Sequence, residues 1–210
     1  MGWEVVQMRG YISIVDYGAG NLKSVANAFA YLGQETRVTC DPQELERSQA
    51  VILPGVGAFP DAADKLRAAG LDRCVLEQGQ KKPVLGICLG MQLLLERGEE
   101  VRPCPGLGAV RGRVARIPTQ LKLPHIGWNS LTFPRPCPLF AGLEEGTSVY
   151  FVHSFSAQDT DPEQVAALTD YGVPVTAAVW NGNFFGCQFH PEKSGEAGLA
   201  ILRNFADLNR

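Results

Sequence analysis

Residues 82–96 read KPVLGICLGMQLLLE, and an apolar run passes into a segment of helical character at one cysteine, Cys88. Positions 84–87 carry no polar side chain, which is typical of a parallel strand that is buried on both faces. Gly86 and Gly90 stand two residues before and two residues after the cysteine. The stretch therefore predicts a buried strand that turns sharply into a helix, with the cysteine on the turn.

The same order of strand, glycine-containing loop and helix recurs earlier in the chain. The apolar runs YISIVDYG (11–18) and AVILPGVG (50–57) each end in a glycine loop, and RVT (37–39) is a shorter strand. Helical segments are predicted between the strands, at 21–32 with Asn21 as its cap, at 61–69 and at 71–80. Strands that alternate with helices in this way pack as a parallel sheet covered by helices.

The second half of the chain has a different pattern. Short strand-like segments separated by proline and glycine are predicted at 109–117, 125–133, 147–155, 164–169 and 175–180. One more strand at 183–190 and an amphipathic helix at 195–208 close the chain. We therefore predict an α/β, flavodoxin-like fold, with a mostly parallel central sheet flanked by helices and an antiparallel extension of that sheet. Its single domain spans 11–210 and follows an N-terminal extension at 1–10.

Charge and hydropathy exclude several classes of function. The net charge is −3 without a basic run, which argues against a nucleic-acid or membrane surface. Every apolar run falls far short of the ~20 residues that a membrane-spanning helix needs. The six cysteines are widely spaced without a CxxC pair, which favours a reduced, cytoplasmic protein. Only three histidines are present, none with a ligand-spaced partner, so we predict neither a metal site nor a cofactor.

The pattern Gly-x-Cys-x-Gly on a strand-to-helix turn is the thiol counterpart of a serine nucleophile elbow. Gly86 and Gly90 would give clearance to a strained turn, because side chains at these positions would collide with neighbouring elements. The free N–H groups of the helix that begins at Leu89 would favour the thiolate of Cys88. Taken alone, the pattern equally fits a buried structural cysteine.

A candidate base lies in FFGCQFHPE, residues 184–192. Strand alternation predicts one face formed by Phe185, Cys187 and Phe189, and the opposite face formed by Gly186, Gln188 and His190. Glu192 follows His190 by two positions, and an extended chain through Pro191 would let its carboxylate accept from the imidazole. His125 and His153 lack a carboxylate at such a spacing, so they are interpreted as structural or pocket-lining.

A third element is the glycine loop that follows the strand at 50–53. The backbone N–H groups of Gly55, Val56 and Gly57 could approach a substrate carbonyl without obstruction, and together with the N–H of Leu89 they would form an oxyanion hole. Pro-Gly sequences are common in ordinary turns, so the loop gains its meaning from its predicted place beside Cys88 at one sheet edge.

These motifs together are recognisable. GICLGMQ (86–92), FHPEKSG (189–195) and PGVGAF (54–59) resemble the class I, triad-type glutamine amidotransferases. Within that group, DYGAGN (16–21), HIGWN (125–129), YFVHSF (150–155) and QFHPEKS (188–194) resemble the glutaminase subunits of imidazole glycerol phosphate synthase, from histidine biosynthesis. The resemblance covers the whole chain apart from the first 8 to 10 residues.

The resemblance implies a role for each motif. Cys88 would attack the side-chain amide of glutamine, His190 would transfer protons and Glu192 would hold His190. Backbone N–H groups of Leu89 and of Val56 or Gly57 would bind the oxyanion. Glutamine itself would be held by three further positions: Gly55, Gln92 and the backbone around Ser154.

The resemblance also implies a partner, a (β/α)8-barrel synthase subunit that receives ammonia within a heterodimer. The positions that match its docking surface are Asn21, Trp128, Tyr150 and Lys193. From the residues alone, Asn21 could also be a helix cap and Lys193 a solvated charge, and Trp128 could equally be a core residue. Glutaminase activity is expected to depend on the partner, because glycines on both sides of Val56 make a peptide flip in this loop sterically easy.

Two alternatives remain open at this point. The same triad serves glutaminases of other pathways and γ-glutamyl hydrolases on the same fold. A catalytically silent regulatory module is the second alternative, although such modules usually lack a member of the triad, and Cys88, His190 and Glu192 are all present here.

Overall fold

A mixed α/β arrangement is seen in the computed structural model, which describes residues 10–208. In chain order the strands are β1 (Ile12–Val15), β2 (Thr36–Thr39), β3 (Ala50–Leu53), β4 (Val84–Ile87), β5 (Leu95–Gly98), β6 (Cys104–Pro105), β7 (Val110–Arg116), β8 (His125–Ser130), β9 (Ser148–His153), β10 (Phe155–Gln158), β11 (Val165–Asp170), β12 (Pro174–Asn181) and β13 (Phe184–Cys187). The helices are α1 (Leu22–Tyr31), α2 (Pro42–Arg47), α3 (Phe59–Ala68), α4 (Leu71–Gly79), α5 (Leu89–Leu93) and α6 (Gly195–Asp207).

The central sheet has seven strands in the order β11-β12-β13-β4-β3-β1-β2. Strands β1, β2, β3, β4 and β13 pair in parallel, and β12 and β11 add the antiparallel edge. Every residue of β1, β3, β4 and β13 is buried, because helices cover both faces of this part of the sheet. The predicted fold class is therefore confirmed.

Successive strand residues point to opposite faces of the central sheet, and their apolar side chains form one cluster on each face. Ile14, Ile52 and Leu85 pack with α1 and α6 on one face. Val51 and Leu53 pack with α3 and α4 on the other. Since both clusters share the same strands, the sheet holds the ends of β3, β4 and β13 in a fixed arrangement, and the candidate site lies at those ends.

The antiparallel segments of the second half are distributed differently from the prediction. Only β11 and β12 extend the central sheet, whereas β7 and β10 join β5 and β6 in a separate four-stranded sheet, and β8 and β9 form a two-stranded ribbon. The prediction that all five segments extend one sheet was wrong in this respect. Alternation in short strands indicates which face is buried, but it does not specify which strand lies alongside.

The helices begin close to their predicted positions. The Asn21 side chain accepts a hydrogen bond from the backbone N–H of Ser24 and caps α1. The prediction missed α2, although its start has a clear signal: Asp41 caps the helix by accepting from the N–H of Gln43, and Pro42 occupies the first turn.

Within residues 10–208, no helix is both long enough and apolar enough to cross a bilayer. All six cysteines fall in this range and are free thiols. The predicted N-terminal extension lies, apart from Gly10, outside the described residues.

Candidate active site

Cys88 lies on a strained turn between β4 and α5. Its backbone has φ 55° and ψ −110°, a conformation that costs a non-glycine residue about 1–3 kcal/mol. The backbone N–H of Cys88 donates to the carbonyl of Cys187 on β13 at 2.7 Å, so the sheet itself holds the turn in place. Strain of this kind persists where the surrounding structure over-determines a conformation, as it does at nucleophile elbows.

The two flanking glycines are required by close packing. A Cβ atom on Gly86 would lie 2.6 Å from the carbonyl oxygen of Gly90, within the first turn of α5. A Cβ atom on Gly90 would overlap the carbonyl oxygen of Leu53 at the end of β3. The glycines therefore give clearance to the turn, as the sequence indicated.

The helix that follows Cys88 is only five residues long, and the chain enters β5 directly after it. A helix of this length has a small dipole, so the sulfur depends more on neighbouring side chains than the sequence indicated. Leu89 is the first residue of α5, where a backbone N–H has no intrahelical acceptor and is free to meet a substrate oxygen.

His190 and Glu192 form a buried pair beside Cys88. Nδ1 of His190 lies 2.9 Å from Oε1 of Glu192, and the two side chains are 5% and 1% exposed. Burial alone would lower the pKa of His190, but hydrogen bonds with Cys88 and Glu192 outweigh it and raise this pKa to about 9. At neutral pH the imidazole is therefore protonated, and Nε2 is the nitrogen that faces the sulfur.

The chain reaches this geometry through a turn. Residues Pro191–Lys193 form one turn of 3-10 helix, so the predicted extended path through Pro191 was wrong. The carbonyl of His190 accepts from the Ser194 hydroxyl at 2.6 Å and from the N–H of Lys193, which fixes the turn. Glu192 therefore folds back under the imidazole ring.

The loop after β3 lies against the same turn. A Cβ atom on Gly55 would be 2.7 Å from the hydroxyl oxygen of Tyr17 and 3.0 Å from the backbone nitrogen of Gly90, so only glycine fits. The Tyr17 hydroxyl donates to the carbonyl of Pro54 at 2.8 Å and anchors the start of the loop. Val56 is 47% exposed and Gly57 has φ 100°, so the next two residues are open to a substrate.

These elements surround a cavity of about 410 Å³. The predicted site residues in its wall are Val56, Gly57, Cys88, Leu89, Gln92, Ser154, His190 and Lys193. Gly55 packs beneath α5 and Glu192 lies behind His190, so both support the wall. The structure thus brings together residues that are separated by up to about 140 positions in the chain.

Two wall or near-wall residues were not singled out by the sequence. The Glu100 carboxylate lines the cavity and accepts from the backbone N–H of Phe59 at 2.8 Å, and no motif marks it. Gln188 is fully buried, and its Nε2 lies 3.8 Å from Sγ of Cys88. Strand alternation had placed Gln188 on the face of His190, which was the available signal.

The hydrogen bonds that the Gln92 side chain already makes limit how it can contact a molecule in the cavity. Its Nε2 donates to the carbonyl of Phe155 at 3.0 Å and to Oε1 of Gln188 at 3.0 Å. An amide nitrogen carries two hydrogens, so both are committed. The oxygen of Gln92 is therefore the atom left to accept a hydrogen bond from a bound molecule.

The other two histidines form a neutral pair. Nδ1 of His125 lies 3.1 Å from Nε2 of His153, and Nδ1 of His153 donates to the carbonyl of Phe155 at 2.8 Å. Burial lowers the pKa of His153 to about 4 and also lowers that of His125. His125 is fully buried between the rings of Tyr171 and Phe151 and is structural, whereas His153 lines the cavity.

Three of the four predicted docking residues lie in the cavity wall or on the ribbon that adjoins it: Trp128, Tyr150 and Lys193. Trp128 and Tyr150 are register partners on β8 and β9, and Trp128 is 56% exposed, so its interpretation as a core residue was wrong. The carbonyl of Tyr150 accepts from the backbone N–H of His190 at 2.9 Å, which links this ribbon to the site. Asn21 caps α1 at the surface, and the exposed Lys193 lines the mouth of the cavity.

Among the described residues, no group of three His, Cys, Asp or Glu side chains is arranged to hold a metal ion. A thiol, an imidazole and a carboxylate lie side by side at this site, in that order. The backbone N–H of Leu89 follows directly after the cysteine. Such an arrangement is suited to acyl transfer through a covalent intermediate.

Comparison with solved structures gives the same fold. A structure described as a glutamine amidotransferase superposes with a TM-score of 0.75 at 20% sequence identity, covering 95% of this chain and 99% of that chain. The structure of PurLQS from Thermotoga maritima superposes with a TM-score of 0.72 at 20% identity, covering 97% of this chain and all of that chain.

Comparison with known sequences is more specific. The family model "Glutamine amidotransferase class-I" matches residues 13–208. The imidazole glycerol phosphate synthase subunit HisH of Bacillus cereus is 52% identical over 92% of this chain and 93% of its own length. The HisH subunit of Caldanaerobacter subterraneus is 46% identical over 94% of this chain and 98% of its own length. The chain therefore belongs to the class-I glutamine amidotransferase family, in the group formed by the HisH subunits of imidazole glycerol phosphate synthase.

Proposed function

We propose that this protein hydrolyses glutamine to glutamate and ammonia through Cys88, His190 and Glu192. The observation that carries the proposal is the buried His190, which is hydrogen-bonded to both the candidate nucleophile and a carboxylate at the wall of one cavity. A thiolate beside an oriented imidazolium is the arrangement that thiol-dependent amide hydrolysis needs.

In this mechanism the sulfur of Cys88 attacks the side-chain amide carbon of glutamine. The N–H of Leu89 and an N–H of Val56 or Gly57 stabilise the negative oxygen of the tetrahedral intermediate. His190 gives its proton to the departing ammonia and leaves a glutamyl thioester. His190 then takes a proton from water, and the resulting hydroxide attacks the thioester carbon. The C–S bond breaks, which releases glutamate and regenerates the Cys88 thiolate beside the protonated His190.

Binding of glutamine is assigned to the remaining wall residues. The oxygen of Gln92 accepts from the substrate, since its amide hydrogens are already used. Gly55 allows close approach of the loop, and the backbone at Ser154 contributes further polar groups. The Glu100 carboxylate offers a negative charge that suits the α-ammonium group of an amino acid.

We further propose that ammonia passes directly to a (β/α)8-barrel synthase subunit in a cytoplasmic heterodimer. That subunit would produce imidazole glycerol phosphate and aminoimidazole carboxamide ribotide in histidine biosynthesis. Asn21, Trp128, Tyr150 and Lys193 form the docking surface, and this assignment is supported by the exposed Trp128 beside Tyr150 and by Lys193 in the cavity wall. The HisH relatives at 52% and 46% identity favour this pathway over other glutaminases and over a γ-glutamyl hydrolase.

Activity is expected to depend on docking. Val56 is exposed and is followed by Gly57, where a Cβ atom would meet nothing within 4 Å, so a flip of the peptide between them meets little steric resistance. We propose that docking turns a loop N–H toward the substrate and completes the oxyanion hole. Loss of one such donor changes rates by about 10²–10³-fold, and that is the scale of activation expected from the partner.

The test is a glutamine hydrolysis assay with and without a purified barrel subunit and its ligand. We expect low activity of the isolated chain and a rise of about 10²-fold or more on docking. Cys88→Ala should abolish glutamine-dependent synthesis by the complex while ammonia-dependent synthesis continues. Full activity of the isolated chain would refute the docking proposal, and hydrolysis by Cys88→Ala would refute the nucleophile assignment.

A further inference from the structure

A buried glutamine contacts the sulfur of Cys88 without belonging to the Cys-His-Glu group. Gln188 is fully buried, and its Nε2 lies 3.8 Å from Sγ. Its backbone N–H donates to the carbonyl of Ala177 on β12 at 2.8 Å, so the sheet fixes its position. A polar side chain is costly to bury unless its hydrogen bonds are satisfied, so its partners reveal what it does.

The orientation of the Gln188 amide follows from its neighbours. The Phe155 carbonyl can only accept, so Gln92 must present its nitrogen there, and the same nitrogen lies 3.0 Å from the Gln188 side chain. Gln188 must therefore turn its oxygen toward Gln92 and its nitrogen toward Cys88. The reverse orientation would place two amino groups against each other and an oxygen against the sulfur.

We infer that Gln188 donates an N–H hydrogen bond to the Cys88 thiolate and couples the nucleophile to Gln92 in the substrate cavity. The inference rests on the proposed role of Cys88 as nucleophile. A hydrogen bond that is made to the charged form of a group favours that form. Gln188 thus supplies part of the thiolate stabilisation that the five-residue helix α5 is too short to supply.

The arrangement places the sulfur between two donors. His190 faces it with a protonated nitrogen, and Gln188 faces it with an amide N–H. Because the Gln188 oxygen is held by Gln92, which is itself held by Phe155, the donor has a fixed direction. The backbone at Phe155 adjoins Ser154 in the cavity wall, so the chain of hydrogen bonds runs from the substrate pocket to the nucleophile.

The test measures alkylation of Cys88 by iodoacetamide across pH 5–10 in the full-length protein, with modification of the Cys88 peptide quantified by mass spectrometry. In Gln188→Met we expect the midpoint of the alkylation profile to move about one pH unit higher, with a rate about tenfold lower below the midpoint. Gln34→Met is the matched control, because Gln34 is also buried and donates to a backbone carbonyl away from the site.

An unchanged profile in a folded Gln188→Met protein would overturn the inference. No glutamine is used, so the alkylation result does not depend on glutamine hydrolysis. A wild-type complex with the barrel subunit that lacked glutaminase activity would refute the proposed function and leave the alkylation result unchanged. A second measurement leaves Gln188 in place. In a 15N-labelled sample its side-chain amide signals should titrate with the alkylation midpoint, and this titration should vanish in Cys88→Ala. Identical amide titrations in the two proteins would also overturn the inference.

Discussion

Two buried histidines, His153 and His190, line the same cavity and differ in what they contact. His190 is bonded to the Glu192 carboxylate and to Cys88, and its pKa is raised to about 9. His153 is bonded to His125 and to a backbone carbonyl, and burial lowers its pKa to about 4. Both side chains are almost fully buried. Burial is therefore not what distinguishes a candidate catalytic histidine from a structural one.

The difference lies in the partners. A carboxylate and a thiol can both carry negative charge, and both favour the protonated imidazole, so they outweigh the desolvation of His190. A second imidazole offers His153 no such compensation, so desolvation decides. The comparison predicts that substitution of the two histidines lowers activity by very different amounts, and that their contributions to stability change with pH in opposite directions.

The largest effect is expected from exchanging each histidine for asparagine. His190→Asn removes the proton carrier, and general acid–base catalysis is worth about 10²–10⁴-fold, so we expect glutamine hydrolysis by the complex to fall by about 10³-fold. His153→Asn leaves the sulfur and its partners in place, and its rate should fall by less than about tenfold. The measurement is the initial rate of glutamate release, with ammonia-dependent synthesis as the control for assembly. Equal losses in the two variants would contradict the comparison.

The pH dependence of stability should show the second contrast. The pKa of His153 is about 4 in the folded protein and near 6.5 in the unfolded chain, so between these values the unfolded state binds more protons. Its contribution to the free energy of unfolding is complete above pH 6.5 and falls by about 3 kcal/mol as the pH drops to about 4. His190 behaves oppositely, since its raised pKa stabilises the fold below pH 6.5 and this contribution is lost as the pH rises toward about 9.

Urea unfolding of wild type and His153→Gln at several pH values between 4 and 7.5 isolates the contribution of His153 to the free energy of unfolding. The variant should lose less stability on acidification than the wild type, with the largest difference at the acid end. Parallel pH curves for the two proteins would show that His153 is not held neutral by the fold.

The sequence predicted the parallel sheet and the elbow because both leave strong local signals. The apolar strand 84–87 with Gly86, Cys88 and Gly90 indicated the turn, and the glycine contacts show why. The alternation of 184–190 placed Gln188 and His190 on one face, and their contacts with Cys88 agree. Which sheet each later strand joins was not predicted, because strand pairing depends on partners distant in sequence.

The site was predictable only in part, for a related reason. The spacing of His190 and Glu192 indicated their contact, yet the 3-10 turn at Pro191–Lys193 that brings it about was missed. Glu100 enters the cavity through the fold of the β5–β6 region and carries no motif. The roles of Gln188 and Gln92 depend on which amide atom faces which neighbour, and only side-chain geometry can give that.

The smallest of the three effects tests the carboxylate itself. Glu192→Gln keeps an oxygen for Nδ1–H of His190 but removes the charge, so the pKa of His190 should fall below about 9 and glutamine hydrolysis should fall by about 50-fold. The second carboxylate oxygen, Oε2, is buried without a hydrogen-bond partner among the described residues, so the substitution places an amide nitrogen at a buried position. A melting curve is therefore needed to confirm the fold.

NMR titration of the histidine rings measures the pKa directly, and the His153 signal in the same spectra should not move. If His190 titrated as in the wild type, Cys88 alone would account for its raised pKa, and Glu192 would act only by orienting the ring.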